Sequence, residues 1–469
     1  MLVAGESVWL ACAAYAYLRG QMQGVVLALG LPLHVALMLV FLRSNSLLLR
    51  FFVAVYPLTV FELLPHGYRD FGLYGGVLVL VAVLAAIEGS GATGGPASGD
   101  RGIAIALWTV AVMIFVAGVH AAAVGNMSAP IARYSVAALL TVLCIAVFGS
   151  VPRSAGEVQS LLLVLAYVTA AASLVLPIIA GHTLSKVFVT PFGDGNLNLV
   201  GMVVGPLCAL LFGLLFGSKP EKPVRVIAAA AVLVTILIFS RSRGAWVGFV
   251  LAYLYLMLRL KSRGLMIVGV CVAGLVLSSD LLRLSVVARA EQTSLEDPSF
   301  LGRLFLWRVA ASAFSRNWLL GMGVEAFRFH KYDYGFPKVM DPLTWHGSHN
   351  LFLEQFLSLG VIGGAAFICI AVKTFLGTDR VARSRSGPER GLAVGLCAAI
   401  IAYGAHCMID SPGWHAPTLM LWGILLGSAY AVWRQYRVPS VSVTAGPSIR
   451  SAVIGGRGSV VAADRLAGS

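Results

Sequence analysis

Apolar residues run through this chain in long blocks broken by short polar stretches, almost from one end to the other. A helix that crosses the hydrocarbon core of a bilayer needs about 20 mostly apolar residues, with a range of roughly 17–25. Blocks of that kind occupy positions 1–18, 24–42, 51–65, 71–87, 102–120, 135–151 and 159–180. The series continues with 197–216, 226–239, 244–258 and 264–279, and then with 350–372, 391–408 and 417–433. Several blocks are short, 51–65 most of all, so the pattern predicts an all-α, polytopic integral membrane protein with about 12–14 transmembrane helices. The first block lacks a basic flank and a small-residue cleavage site, and reads as a first span and not as a signal peptide.

Three stretches break the pattern. Residues 89–100 (GSGATGGPASGD) read as a flexible linker. Residues 437–469 are rich in Ser, Gly and Ala and are expected to be a disordered tail. Residues 280–349 form one large polar loop inside a membrane domain that spans 1–436. The loop is expected to be partly helical, because Pro298-Ser299 can start a helix on which apolar residues follow at helical spacing.

Composition supports the membrane reading. The 469 residues are 59% hydrophobic and only 12% charged, where soluble domains carry about a quarter of charged residues. So few charges cannot clothe a water-facing surface. The net charge of +14 does not point to nucleic acid, since the basic residues stand singly between apolar runs, whereas a nucleic-acid face needs them clustered. The cysteines, Cys12, Cys144, Cys208, Cys271, Cys369, Cys397 and Cys407, all fall inside apolar runs without metal-ligand or redox spacing. They read as small buried side chains, and neither a metal site nor a cofactor is expected.

Charge then orients the spans. Short cytoplasmic loops carry the excess of Lys and Arg. With both termini in the cytoplasm, 20 of the 34 basic residues fall on the inner side, among them Lys219, Arg225, Arg259, Arg263, Arg383, Arg390 and Arg434. The short loops of the other side keep only 6, and the 280–349 loop is sent outside the cytoplasm.

A few charges are not accounted for by topology. Arg241 and Arg243, in Ser240-Arg241-Ser242-Arg243-Gly244, occupy a tight turn between two apolar runs on the side that avoids positive charge. A charge at membrane depth costs at least ~2.5 kcal/mol unless it is paired or faces water; snorkelling to the interface is the other reading. Arg303 and Trp307 stand four apart on the predicted loop helix and share a face, although Arg303 would look the same as a surface charge. The loop closes on Trp345-His346-Gly347-Ser348-His349-Asn350. A histidine at a membrane–water boundary can accept a proton at neutral pH, or can be satisfied by local hydrogen bonds. Together these groups ask for an anionic ligand, because guanidinium forks match phosphate oxygens. They fit glycosyl transfer from a lipid-linked pyrophosphate donor, with the arginines stabilising the leaving pyrophosphate and His349 as general base.

At these residues the chain resembles the O-antigen ligase and O-antigen polymerase superfamily of bacterial inner-membrane glycosyltransferases. The resemblance rests on Ser240-Arg241-Ser242-Arg243-Gly244, on Arg303 with Trp307, on Asn317-Trp318-Leu319-Leu320-Gly321-Met322-Gly323, and on His349-Asn350 followed by Gly360 and Gly363. Asn196-Leu197-Asn198 is similar to a further family segment, and the whole covers roughly residues 190–375. The resemblance implies an inverting, metal-independent transferase with a periplasmic site and an undecaprenyl-pyrophosphate-linked glycan donor. Carried over by position, Arg241 and Arg303 bind the pyrophosphate and His349 activates the acceptor; Arg243, His346, Asn198 and Glu325 are secondary candidates. Within the superfamily the single long loop bearing both Arg303 and the His-Asn pair favours a ligase, with lipid A–core as acceptor, over a polymerase. A transporter of lipid-linked sugars is the alternative from another class.

Overall fold

The computed structural model describes residues 49–50, 52–54, 56–57, 101–125, 128–179, 197–218, 220–240, 242–278, 298–337, 347–412 and 416–436. The predicted blocks before residue 101, the linker 89–100 and the tail 437–469 lie wholly or largely outside them. The chain divides into one unit over Met1–Gln435 and another over Tyr436–Ser469, and of the second only Tyr436 is described.

Among the described residues the first unit is helical, without strands. Its helices are α1 (Arg101–Ala123), α2 (Ala129–Ser150), α3 (Ala155–Ile179), α4 (Leu197–Ser218), α5 (Pro223–Phe239), α6 (Arg243–Leu260) and α7 (Arg263–Ser278). They are followed by α8 (Pro298–Asn317), the short α9 (Ala326–His330), a 3-10 turn (Lys331–Tyr334), α10 (Leu351–Ser384), α11 (Gly387–Cys407) and α12 (Ala416–Gln435). Six described helices are long and apolar enough to cross a membrane, and three shorter apolar ones accompany them. The protein is a polytopic α-helical membrane protein.

Small residues set the packing at its centre, where α4 and α11 are the most buried spans. Gly213 and Gly217 on α4 face Gly391 and Gly395 on α11, and a methyl group at Gly213 would lie 2.2 Å from Gly395 Cα. Two such pairs, each at a spacing of four, let the backbones touch. Helix α11 also packs on α6 and α10, α12 on α2, and α1 on α10.

Helix α10 departs from the prediction in two ways. It runs to Ser384, past the predicted end at 372, because its polar last turns are held by buried contacts. Asp379 accepts from Tyr255 Oη at 2.7 Å and from Arg259 at 2.8 Å. Hydropathy reads such a polar turn as a boundary. The helix is also broken at Gly360, where φ is +67° and ψ −174°, a conformation essentially confined to glycine. The break frees backbone groups that the loop then satisfies: Leu357 O accepts from Met322 N at 2.8 Å, and Trp318 O accepts from Val361 N at 2.7 Å. Gly321 and Gly360 stand backbone to backbone at this weld, and a Cβ on Gly360 would fall 2.1 Å from Leu319 O. The bend 317–323 and Gly360, read separately in the sequence, are one feature.

The loop helix α8 begins at Pro298, where the Pro-Ser signal predicts it. It buries Leu306, Val309, Ala310 and Ala313 against Met322, Phe327, Phe336, Leu357 and Ile131. This small core seats the loop on the first turns of α10 and α2.

Residues assigned to one side by charge gather at one end of the bundle. Arg390 donates to Arg259 O, and Arg434 donates to Ser150 O at 3.2 Å. At the other end lie the loop, the α5–α6 turn, the start of α10 and the end of α11.

Candidate active site

The loop end holds a convergence of charged and polar side chains around His349. Gly347 and His349 both have positive φ, +65° and +50°, so the chain turns sharply before α10 begins. Asn350 caps that helix, its Oδ1 accepting from Leu353 N at 3.0 Å. The turn is fixed from two further directions. Trp307 Nε1 donates to Ser348 O at 3.0 Å, and Ser348 N donates to Glu354 Oε2 at 2.9 Å. A left-handed conformation in a residue with a side chain persists only where its surroundings over-determine it, and here they do.

Held this way, the His349 ring meets Asp410, with Nδ1 and Oδ1 3.0 Å apart. Asp410 lies in the turn after α11, where Ser411 N also donates to its Oδ1 at 2.9 Å. Burial alone would raise the Asp410 carboxyl, but the His349 hydrogen bond and the charges of His349, His406 and Arg303 hold it below its usual range. Asp410 therefore stays ionised.

That balance also locates Arg303. Its charge acts on Asp410 from α8. Trp307, one turn further along α8, is the residue that touches the His349 turn. The shared face predicted for this pair is the face that meets the site.

Beside His406 stands the α5–α6 turn. Arg241 lies outside the described residues, yet both of its flanks are described. Ser240 Oγ donates to Leu237 O at 2.8 Å, and Ser242 Oγ caps α6 by accepting from Ala245 N at 3.3 Å. Trp246 Nε1 donates to the same Leu237 carbonyl at 2.9 Å. Ser242 Oγ approaches His406 Nε2 at 3.5 Å, while His406 sits one turn of chain before Asp410, whose N–H donates to its carbonyl at 3.2 Å, and packs on Gly244. Through His406 the turn bearing Arg241 is thus joined to the segment bearing Asp410.

The secondary candidates separate. Arg243 is half-buried at the first position of α6, and Asn198 is half-buried in the first turn of α4, three residues before Gly201, which packs on Ser242 and Ala245. His346 lies outside the described residues. Glu325 is 1% exposed, and burial together with the Glu354 carboxylate pushes it well above its usual range, against the pull of Arg328. It stands beside Glu354 under the His349 turn.

Sequence reasoning missed Asp410, His406 and Glu354. Counting Lys and Arg alone passes over acidic groups, yet ionisable residues inside or at the end of apolar runs are functional candidates by default. That signal was present for all three. Among the described residues no group of three or more His, Cys, Asp or Glu converges as a metal site would require.

Chemically the site offers an imidazole whose Nδ1 is engaged by a carboxylate, with the Arg303 guanidinium, a group suited to phosphate oxygens, acting by its charge on the same carboxylate. No curated protein matches the chain. Residues 228–368 match a family model described as O-antigen ligase, a stretch that takes in the Arg241 turn, Arg303 and His349 and stops before Asp410. Over that segment the chain is similar to the O-antigen ligase superfamily.

Proposed function

We propose that the protein is an O-antigen ligase of the bacterial inner membrane, which transfers O-antigen from undecaprenyl pyrophosphate to lipid A–core at a periplasmic site. The observation that carries this reading is the His349–Asp410 pair at 3.0 Å within reach of the Arg303 charge. A transporter of anionic lipids has use for arginines in a cavity, but does not require a base at the membrane surface.

The geometry gives each group a step. Asp410 accepts from His349 Nδ1–H and fixes the tautomer in which Nε2 is the base. Nε2 takes the proton of the acceptor sugar hydroxyl as its oxygen attacks the anomeric carbon of the donor. The bond from that carbon to the pyrophosphate oxygen breaks on the opposite face, so the configuration inverts. Pyrophosphate departs on its lipid with the bonding electrons, and Arg303, with Arg241 from the α5–α6 turn, meets the growing negative charge. Asp410 stabilises the imidazolium until its proton is lost. Both termini are assigned to the cytoplasm, which puts the loop end in the periplasm; the division of basic residues between the two ends supports it.

Two experiments test the reading. Lipopolysaccharide from a strain lacking the protein should carry no O-antigen while lipid-linked polymer accumulates. Single-repeat lipopolysaccharide would instead make the protein a polymerase. With purified protein, donor and acceptor lipids, His349→Ala should lower the transfer rate by about 10²–10⁴-fold, the usual contribution of a general base. Transfer at the wild-type rate would remove His349 from that role, and transport without any transfer would favour the other class.

A further inference from the structure

Beneath the His349 turn lies a second buried cluster that the transfer steps do not use. Glu325 and Glu354 are each 1% exposed. The position that a Gly347 side chain would occupy is 3.2 Å from Glu354 Oε2 and 3.3 Å from Glu325 Oε2. The two carboxyl groups therefore close on the same point of the turn. Glu354 Oε2 accepts from Ser348 N at 2.9 Å. Both oxygens of Glu325, and Glu354 Oε1, have no hydrogen-bond donor among the described residues. Two bare carboxylates so placed repel each other and are starved of water, and one proton held between them relieves both costs.

We propose that Glu325 and Glu354 carry a single proton between them and, as a pair, position His349 for catalysis. The inference rests on the transferase reading of the site. The bond from Ser348 N to Glu354 is one of the two that hold the turn in which His349 adopts its left-handed conformation. Glu325 stabilises that bond by keeping the pair at one negative charge. Neither residue touches substrate; both act through the placement of the imidazole opposite Asp410.

Each charged neighbour among the described residues bears on the balance. Arg328 on α9 lowers Glu325, but its Nη1 is committed to Tyr134 Oη on α2 at 3.1 Å. Lys331 in the 3-10 turn is 1% exposed, its Nζ 4.9 Å from the Phe336 ring centre. Burial and Arg328 bring it down to about 8, while Glu354 pulls it the other way. His349 contributes its own charge from the turn, and Arg303 on α8 acts beyond it through Asp410. As pH rises, Lys331 loses its charge and the acid pair loses its proton. Both changes leave uncompensated negative charge beneath the turn, so the device fails on the alkaline side.

The sign for stability follows. An unfolded glutamate loses its proton near about pH 4.3, and folded Glu325 loses it at higher pH. Between these values the folded state holds the extra proton. Stability is full at low pH and declines as pH rises through the folded value.

The test uses the full chain in lipid nanodiscs, with thermal unfolding and transfer rate each measured from pH 6 to pH 10. Glu325→Gln cannot become the second negative charge, so its unfolding temperature should fall less with pH than that of wild type. Its transfer activity should extend to higher pH. Glu354→Gln keeps an oxygen for the Ser348 N–H and an amide to donate to Glu325, and should retain transfer within about fivefold. Glu354→Leu should lose about 10–100-fold in kcat, the scale of an outer positioning partner, with KM for the donor within twofold. Superimposable unfolding and activity profiles for Glu325→Gln and wild type would overturn the proposal, as would Glu354→Gln behaving like Glu354→Leu. Wild-type protein without transfer activity would instead reject the transferase reading, and the unfolding profiles would still decide whether the pair shares a proton.

Discussion

The two ends of the helical bundle both bury charge, and they treat it differently. At the end away from the loop, Asp379 is 3% exposed and saturated. Tyr255 donates to it at 2.7 Å, Arg259 at 2.8 Å and Arg383 at 3.1 Å, while Arg390 crosses from α11 to the Arg259 carbonyl. This is a clamp joining α6, α10 and α11. At the loop end the buried groups are carboxyls and imidazoles with Lys331 among them, and several polar atoms lack partners among the described residues: both Glu325 oxygens, Glu354 Oε1 and His406 Nδ1. Buried polar atoms are nearly always satisfied, so carboxyl and imidazole atoms left unpaired together ask for an explanation that packing does not give. One end spends its charges on holding helices together, and the other keeps some in reserve.

The sharpest way to break this contrast is to make the same conservative change at each end. Asp410→Asn keeps the size of the side chain but can donate where Asp410 must accept, which favours the wrong tautomer of His349. Its kcat should fall by about 10²–10⁴-fold, with the unfolding temperature in nanodiscs close to wild type. A rate within threefold of wild type would show that His349 needs no carboxylate.

Asp379→Asn should do the reverse. It leaves Arg259 and Arg383 without their counter-charge, and loss of one member of such a network costs about 1–3 kcal/mol; we place it at the lower end because Arg383 is 55% and Arg259 33% exposed. The unfolding temperature should fall while the transfer rate per folded molecule holds. A folded Asp379→Asn protein without activity would mean that the clamp communicates with the site, and the division between the ends would not stand.

Much of this division was legible in the sequence, though unevenly. The spans follow from apolar run length, and the gathering of Arg259, Arg390 and Arg434 at one end from Lys and Arg counts, both local properties. Arg303 and Trp307 were legible as a pair because helical spacing puts them on one face, and the helix start at Pro298 fixes the register. Asp410 was not, because its significance depends on α11 returning to the loop end after a long excursion. Nothing near Asp410 in the chain announces that His349 stands opposite. Gly360 was visible as a glycine, but its break in α10 has meaning only with Gly321 against it. The polar end of α10 was misread as a boundary because Tyr255 and Arg259 on α6, with Arg383 on α10 itself, satisfy Asp379. What escapes a sequence reading is long-range pairing, and catalytic geometry is made of little else.

The smallest effect probes the link between the loop helix and the turn. Trp307 contributes one hydrogen bond to Ser348 O, 3.0 Å long, alongside the bond from Ser348 N to Glu354. Trp307→Phe keeps most of the ring and removes only that donor. A single neutral hydrogen bond is worth about 0.5–1.5 kcal/mol net, so the kcat of transfer should fall by about 3–10-fold with KM for the donor unchanged. The loss should be larger in Glu354→Leu than in wild type, because with both supports gone nothing on these two flanks holds the left-handed His349 turn. Strictly additive losses in that double-variant cycle would mean that the two bonds support the imidazole independently. A joint loss greater than their sum would make the turn a single positioned unit, set between α8 on one side and α10 on the other.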